Sequence, residues 1–204
     1  MRLTGLLLAA GQSRRYGADK RLATLPGGEP LVLHTARTLR AAMEDVLVVL
    51  RPGDDALADL LAAVDCRVTY NPDAAEGMGA SIRHGVAQCR DRDGWLILPA
   101  DLPQLRAVTV RQVAAVLAED GAVVPVCQGR RGHPVGFSAH YRTGLLGLGG
   151  DEGARRLLEA DPGKVRWLAV DDPGICRDVD TPAALRDATQ GQGQGAGPGG
   201  PAAG

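Results

Sequence analysis

Leu6-Leu7-Leu8-Ala9-Ala10-Gly11-Gln12-Ser13-Arg14-Arg15-Tyr16-Gly17-Ala18-Asp19-Lys20 passes without a break from an apolar run into a loop of small residues and cations. Continuous rather than alternating hydrophobicity is what a strand covered by helices on both faces requires. In an open α/β sheet, ligands bind beyond the carboxyl ends of the strands, so the loop after such a strand is the first place to look for chemistry. Ala9, Ala10 and Gly11 let backbone N–H groups approach a ligand closely, Gly17 permits a second bend, and Arg15 and Lys20 bring two cations to one loop. That is the chemistry of a polyphosphate cradle. The spacing is neither G-x-x-x-x-G-K-[ST] nor G-x-G-x-x-G, which sets aside P-loop kinases and ordinary dinucleotide-binding dehydrogenases. Each piece also has a plainer use, since glycines serve turns and surface cations are solvated.

The same pattern repeats along the chain. Val46–Leu50, Cys66–Tyr70, Trp95–Leu98 and Ala122–Val126 read as further strands, and Pro134–Ser138 and Val165–Val170 as later ones. Helical spacing fills the intervals at Leu31–Ala42, Ala56–Val64, Ser81–Cys89 and Val108–Leu117, then near Glu152–Ala160 and Pro182–Ala188. Strand and helix alternating at this rhythm predict βαβ crossovers and one α/β domain over residues 1–188, an α/β/α sandwich with a mostly parallel, Rossmann-like sheet. Residues 189–204 contain only Thr, Gln, Gly, Ala and Pro and predict a disordered tail.

Composition narrows the classes. The 204 residues are 45% hydrophobic and 23% charged, with 23 basic and 24 acidic side chains and a formal net charge of -1. That balance and the six aromatics argue against a nucleic-acid-binding surface built on base stacking. Cys66, Cys89, Cys127 and Cys176 show no C-x-x-C spacing, so neither a zinc knuckle nor a disulfide framework is expected. The apolar run at Leu6–Ala10 is too short for a signal peptide, and no stretch approaches the ~20 apolar residues of a membrane span; a cytoplasmic location is expected. The basic residues are 21 Arg and only Lys20 and Lys164. A chain that prefers Arg keeps a Lys where a compact point charge must enter a crowded phosphate site, which singles out Lys20.

Two carboxylates follow strand-like segments. Asp101, in Pro99-Ala100-Asp101-Leu102-Pro103, and Asp180, in Arg177-Asp178-Val179-Asp180-Thr181-Pro182, stand where they could hold a divalent cation against phosphate oxygens. Either could instead cap the helix that follows it, a use the nearby prolines suit. In Asn71-Pro72-Asp73-Ala74-Ala75-Glu76-Gly77-Met78-Gly79-Ala80-Ser81, the glycines allow close backbone approach and Ser81 stands where the next helix is expected to begin. His34, His84 and His140 have no comparable context.

Leu8-Ala9-Ala10-Gly11-x-Ser13-x-Arg15-x-Gly17-x-x-Lys20 resembles the signature loop of the MobA-like NTP transferases, which join a nucleoside triphosphate to a phosphorylated acceptor. Gly132-His133-Pro134 and Gly150-Asp151-x-Gly153-Ala154-Arg155 resemble two further elements of that family, and the match spans roughly Leu3–Ala188. The resemblance implies a fold of the nucleotide-diphospho-sugar transferase type. It implies nucleotide contacts at Leu8, Ala9, Ala10, Gly11, Ser13, Arg15, Lys20, Asn71, Gly79 and Ser81, with Lys20, Arg15 and Asp101 catalytic. It implies Mg²⁺ on Asp101 and Asp180, and acceptor contacts at His133, Asp151 and Arg155.

Nucleotidyl transfer needs positioning and charge stabilisation more than a side-chain nucleophile. Within the family, an Ala-Ala-Gly first loop looks like the cytidylyltransferases of the molybdenum cofactor, whereas guanylyltransferases tend towards Ala-Gly-Gly. The resemblance therefore implies CMP transfer from CTP to molybdopterin. A molybdoenzyme or chaperone is a candidate protein partner, and composition and hydropathy point to neither nucleic acid nor membrane. Guanylyl transfer, another phosphorylated acceptor, and a nucleotide-binding accessory protein that hands on the cofactor remain alternatives.

Overall fold

The computed structural model describes residues 1–11, 16–119, 121–151 and 153–190. Its sheet is built from β1 (Leu3–Leu8), β2 (Val46–Leu50), β3 (Arg67–Tyr70), β4 (Gly94–Pro99), β5 (Ala122–Cys127), β6 (Arg130–Arg131), β7 (Val135–Ser138) and β8 (Val165–Ala169). The strand order is β3-β2-β1-β4-β7-β5-β6, with β8 also paired to β5. β1, β2, β3 and β4 run parallel, as do β5 and β8, while β7 and β6 enter antiparallel. The expected parallel sheet is thus interrupted by β7, inserted between β4 and β5.

The helices are α1 (Leu31–Arg40), α2 (Asp55–Ala62), α3 (Met78–Ala87), α4 (Ala107–Val116), α5 (Arg142–Leu146), α6 (Arg155–Ala160) and α7 (Pro182–Gln190). Side chains alternate across β1. Leu7 packs with Val32, Ala36 and Leu39 of α1, Leu57 and Leu61 of α2 and Val110 and Val113 of α4, whereas Leu6 packs with Ile82 and Val86 of α3, Leu145 of α5 and Leu158 of α6. Leu6 and Leu7 are both fully buried, and each such leucine contributes roughly 1.5–3 kcal/mol. The result is the α/β/α sandwich. Gly85 sets the spacing of the second layer, because a Cβ there would meet Leu6 Cδ1 at 2.4 Å.

Differences from the sequence reading are local. α3 begins at Met78, three residues ahead of expectation, and α6 begins at Arg155 rather than at position 152. α7 runs to Gln190, past the drawn boundary of the tail, and residues 191–204 lie outside the described residues. Among the described residues no helix is long and apolar enough to cross a membrane.

Backbone bonds carry the ladders past the strand ends on one edge of the sheet. Ala9 N donates to Val49 O at 2.9 Å, Ala100 N to Leu8 O at 3.1 Å and Asn71 N to Leu50 O at 2.8 Å. The loops after β1, β3 and β4 therefore leave from one rim. β7 runs the other way, so it is the segment before it, Gly132-His133-Pro134, that reaches the same rim.

Candidate active site

Lys20 opens a single 3-10 turn, Lys20–Leu22, capped by the Asp19 carboxylate, which accepts from Arg21 N at 3.1 Å. The turn aims the Lys20 ammonium between two carboxylates, with Nζ 2.5 Å from Asp101 Oδ2 and 2.9 Å from Asp180 Oδ1. Burial alone would lower the Lys20 pKa, but Asp101 and Asp180 outweigh it and raise it above the ordinary value. The side chains of Lys20 and Asp101 are 18% and 14% exposed, so their charges meet in a poorly screened setting.

Neither carboxylate is a helix cap. α4 starts at Ala107, with Arg106 at its cap position, and Asp172 accepts from Arg106 N at 3.0 Å and from Thr109 Oγ1 at 2.6 Å. At α7 it is Thr181 Oγ1 that accepts, from Ala184 N at 3.1 Å. Asp180 follows no strand, contrary to expectation. The chain arrives from a 3-10 turn at Pro173–Cys176 through an irregular segment pinned by Val179 N, which donates to Asp101 O at 3.0 Å.

Two carboxylates converging on one cation are a fair donor set for a hard divalent ion. Asp101 Oδ1 is buried and has no hydrogen-bond partner among the described residues, and such an atom is costly unless a ligand satisfies it. The residues present fit such an ion. Among the described residues, no cluster of three or more His, Cys, Asp or Glu exists to compete for it.

A buried ionic network holds the two ends of the first loop, and the sequence reading missed it. Arg21, only 4% exposed, donates through Nε to Asp19 Oδ1 at 2.8 Å, through Nη1 to Ala9 O at 2.7 Å and to Asp54. Burial alone would lower its pKa, but the hydrogen bonds it donates to Asp19 and Asp54 raise it. Arg51 adds contacts to Asp19 Oδ2 at 3.0 Å and Gly11 O at 3.3 Å. An Arg beside an exposed loop reads as solvated; only its burial reveals the clamp.

The loops enclose a cavity of about 430 Å³ whose lining includes Leu8, Ala9, Ala10, Gly11, Lys20, Asp101, Gly77, Met78, Ser81 and Asp151. Of the expected nucleotide contacts, Ser13 and Arg15 lie outside the described residues. Asn71 and Gly79 are not in the lining. Asn71 is fully buried; its Oδ1 accepts from Asp73 N at 3.0 Å and its Nδ2 donates to Ser81 Oγ at 3.3 Å, so it braces the loop. Gly79 N is committed to Gly150 O at 2.8 Å, and Gly77 and Met78 take the wall position instead. Ser81, expected as a nucleotide contact, lies one turn inside α3 on the cavity wall, where its hydroxyl accepts from Asn71. Gly77 has φ 127°, and a Cβ there would meet Asp151 Oδ1 at 2.3 Å.

A second cavity, also about 430 Å³, adjoins the first and shares Leu8, Met78 and Pro99 with it. His133, Arg131, Gly153, Ala154 and Arg155 belong to this second wall, so the three expected acceptor residues are divided: Asp151 faces the first cavity and His133 and Arg155 the second. Ala154 holds the cap position of α6, and Arg155 Nε bonds Glu159 Oε1 at 2.7 Å. His133 Nδ1 lies 3.4 Å from Ile97 O, and burial lowers its pKa, favouring the neutral ring.

Comparison with known proteins agrees with this fold. Residues 5–173 match the family described as MobA-like NTP transferase domain. The chain is 35% identical over 190 residues to "Purine catabolism protein PucB" of Bacillus subtilis (strain 168), covering 88% of this chain and 92% of that one. It is 35% identical over 124 residues to "Probable molybdenum cofactor guanylyltransferase" of Synechococcus elongatus, covering 59% and 62%. Among solved structures, Rv0371c of Mycobacterium tuberculosis H37Rv in complex with manganese superposes with a TM-score of 0.77 at 26% identity, covering 93% and 99%.

Proposed function

The chain belongs to the MobA-like NTP transferase family, and from that premise we propose that it transfers CMP from CTP to the phosphate of molybdopterin, releasing pyrophosphate. The observation that carries this reading is the meeting of Lys20, Asp101 and Asp180 at one point on the wall of a cavity that shares a boundary with a second. A donor and an acceptor each have a chamber in this reading.

In the transfer, an acceptor phosphate oxygen forms a bond to the α-phosphorus while the bond from that phosphorus to the β-phosphate oxygen breaks, and pyrophosphate carries away the charge. No side-chain nucleophile is required. The first loop offers the backbone N–H groups of Ala10 and Gly11 to the triphosphate, Ala9 N being committed to Val49 O, and Lys20 turns its ammonium to the phosphates and neutralises the leaving group. Arg21 and Arg51 hold Ala9, Gly11 and Asp19 at the two ends of the loop. Asp101 and Asp180 would hold a divalent cation, Mg²⁺ in this reading, which when bound supplies charge neutralisation at the α-phosphate. Manganese in the M. tuberculosis relative supports divalent metal use. His133, neutral at ordinary pH, and Arg131 border the acceptor chamber.

The choice of CTP rests on the resemblance of the Ala9-Ala10-Gly11 loop to that of the family's cytidylyltransferases. GTP is the second reading, favoured by the name of the cyanobacterial relative. Incubation with Mg²⁺, molybdopterin and each of the four NTPs in turn, followed by pyrophosphate measurement, tests both. Release with CTP is expected; release with GTP alone moves the assignment to guanylyl transfer, and silence with molybdopterin moves it to another acceptor.

A further inference from the structure

Two arginines border the second cavity, and they are not equivalent. Arg155 is matched on its own helix by Glu159. Arg131 pairs with no carboxylate among the described residues; its guanidinium carbon lies instead 4.5 Å from the ring centroid of Trp167. Trp167 is 48% exposed, an unusual position for the largest apolar side chain unless its ring has a use there.

The sheet register explains the pairing. Trp167 on β8 is the neighbour of Val124 on β5, and Arg131 on β6 is the neighbour of Val126. Residues two apart on a strand project from one face, and Val124 lines the second cavity. Arg131 and Trp167 therefore flank β5 on the face that forms the cavity wall. Stacking occupies the flat face of a guanidinium and leaves its in-plane N–H donors available, and those donors fit the oxygens of a phosphate.

The geometry points to Trp167 as a positioning residue: its ring holds the Arg131 guanidinium at the rim of the second cavity, so that Arg131 selects acceptors that carry a phosphate ester. This rests on the reading of that cavity as the acceptor chamber and adds which residues meet the acceptor's phosphate there. Arg131 touches the acceptor; Trp167 acts through Arg131.

Two readouts test it. In turnover assays, Trp167→Leu should raise the KM for the phosphorylated acceptor roughly two- to fivefold, the worth of an exposed cation–π contact, with the KM for nucleotide unchanged. Trp167→Phe should recover most of the loss. Arg131→Ala should raise the acceptor KM on the order of tenfold. The second readout needs no turnover. Trp95 is fully buried, so solvent-sensitive tryptophan emission reports Trp167, and inorganic phosphate should change it in the parent protein but not in Arg131→Ala. An acceptor KM unaltered in Trp167→Leu, or a phosphate response that survives in Arg131→Ala, overturns the inference. No turnover of molybdopterin by the parent protein, with an Arg131-dependent phosphate response intact, overturns the acceptor's identity and upholds the anion site.

Discussion

Val179 donates its backbone N–H to the carbonyl of Asp101 at 3.0 Å, so the two carboxylates around Lys20 are brought together by main chain and not by side-chain reach alone. Val179 is itself 1% exposed, which anchors the segment in the core. Asp101→Asn should leave the fold intact and lower kcat on the order of 10²–10³-fold, as the loss of an electrostatic group at the reacting phosphate does. Asp180→Asn, whose parent side chain is 43% exposed, should cost less. Pyrophosphate release measured beside circular dichroism checks both; full activity in Asp101→Asn would remove it from the mechanism.

Lys20 is the one lysine in a setting that a guanidinium cannot reproduce. Lys20→Ala should reduce kcat/KM by about 10² or more, and Lys20→Arg should remain at least about tenfold impaired because the planar fork is too broad for the gap between the two carboxylates. Steady-state pyrophosphate assays at saturating acceptor measure the effect, and parent-like rates in Lys20→Arg would contradict it.

Arg21→Met removes the buried cation of the network and leaves Asp19 and Asp54 with Arg51 alone. The expected loss is about 1.5–3 kcal/mol of stability, the worth of hydrogen bonds to charged groups, read by urea unfolding. A change below about 0.5 kcal/mol, the scale of an unremarkable surface site, would show that the network is solvated after all.

The acid limb of stability should carry the mark of the same network. The hydrogen bond from Arg21 is the largest influence on Asp19 and lowers its pKa in the folded protein below the ordinary 3.8. A lowered carboxylate contributes stability above its unfolded value and loses it as pH falls through the folded one. Unfolding free energies followed downward from 3.8 should therefore fall less steeply for Asp19→Asn than for the parent; parallel slopes would refute the assignment.

Gly77→Ala forces a Cβ to within 2.3 Å of Asp151 Oδ1 and 2.6 Å of the Gly150 backbone at a φ of 127°. Because backbone cannot swing aside, the substitution should cost about 1–3 kcal/mol and raise the nucleotide KM by separating two walls of the first cavity. Thermal unfolding and a nucleotide titration check the two effects separately.

Much of this was legible in the sequence. Leu6–Leu8, Val46–Leu50 and Trp95–Leu98 are apolar without interruption because both sheet faces are covered, and those strands fall where expected. Hydrophobic pattern carries no strand direction, which hid the antiparallel entry of β7 between β4 and β5, and β6, two exposed arginines, has no apolar signature. At the site, Lys20 and Asp101 stood out by residue type and by position after a strand. Asp180 was visible too, but the tether at Val179 depends on a contact between segments 78 residues apart, which no local pattern encodes. Arg21 was missed for a related reason: its role lies in its partners Asp54 and Ala9, not in its neighbours.

Leu8, Met78 and Pro99 line both cavities, and of the three Met78 has the unbranched, adaptable side chain, half exposed. A partition held in common couples the two volumes, since room given to one guest is taken from the other. A change at position 78 alters the fit of both at once. In the proposed reading, nucleotide fit and acceptor fit therefore change together at this residue.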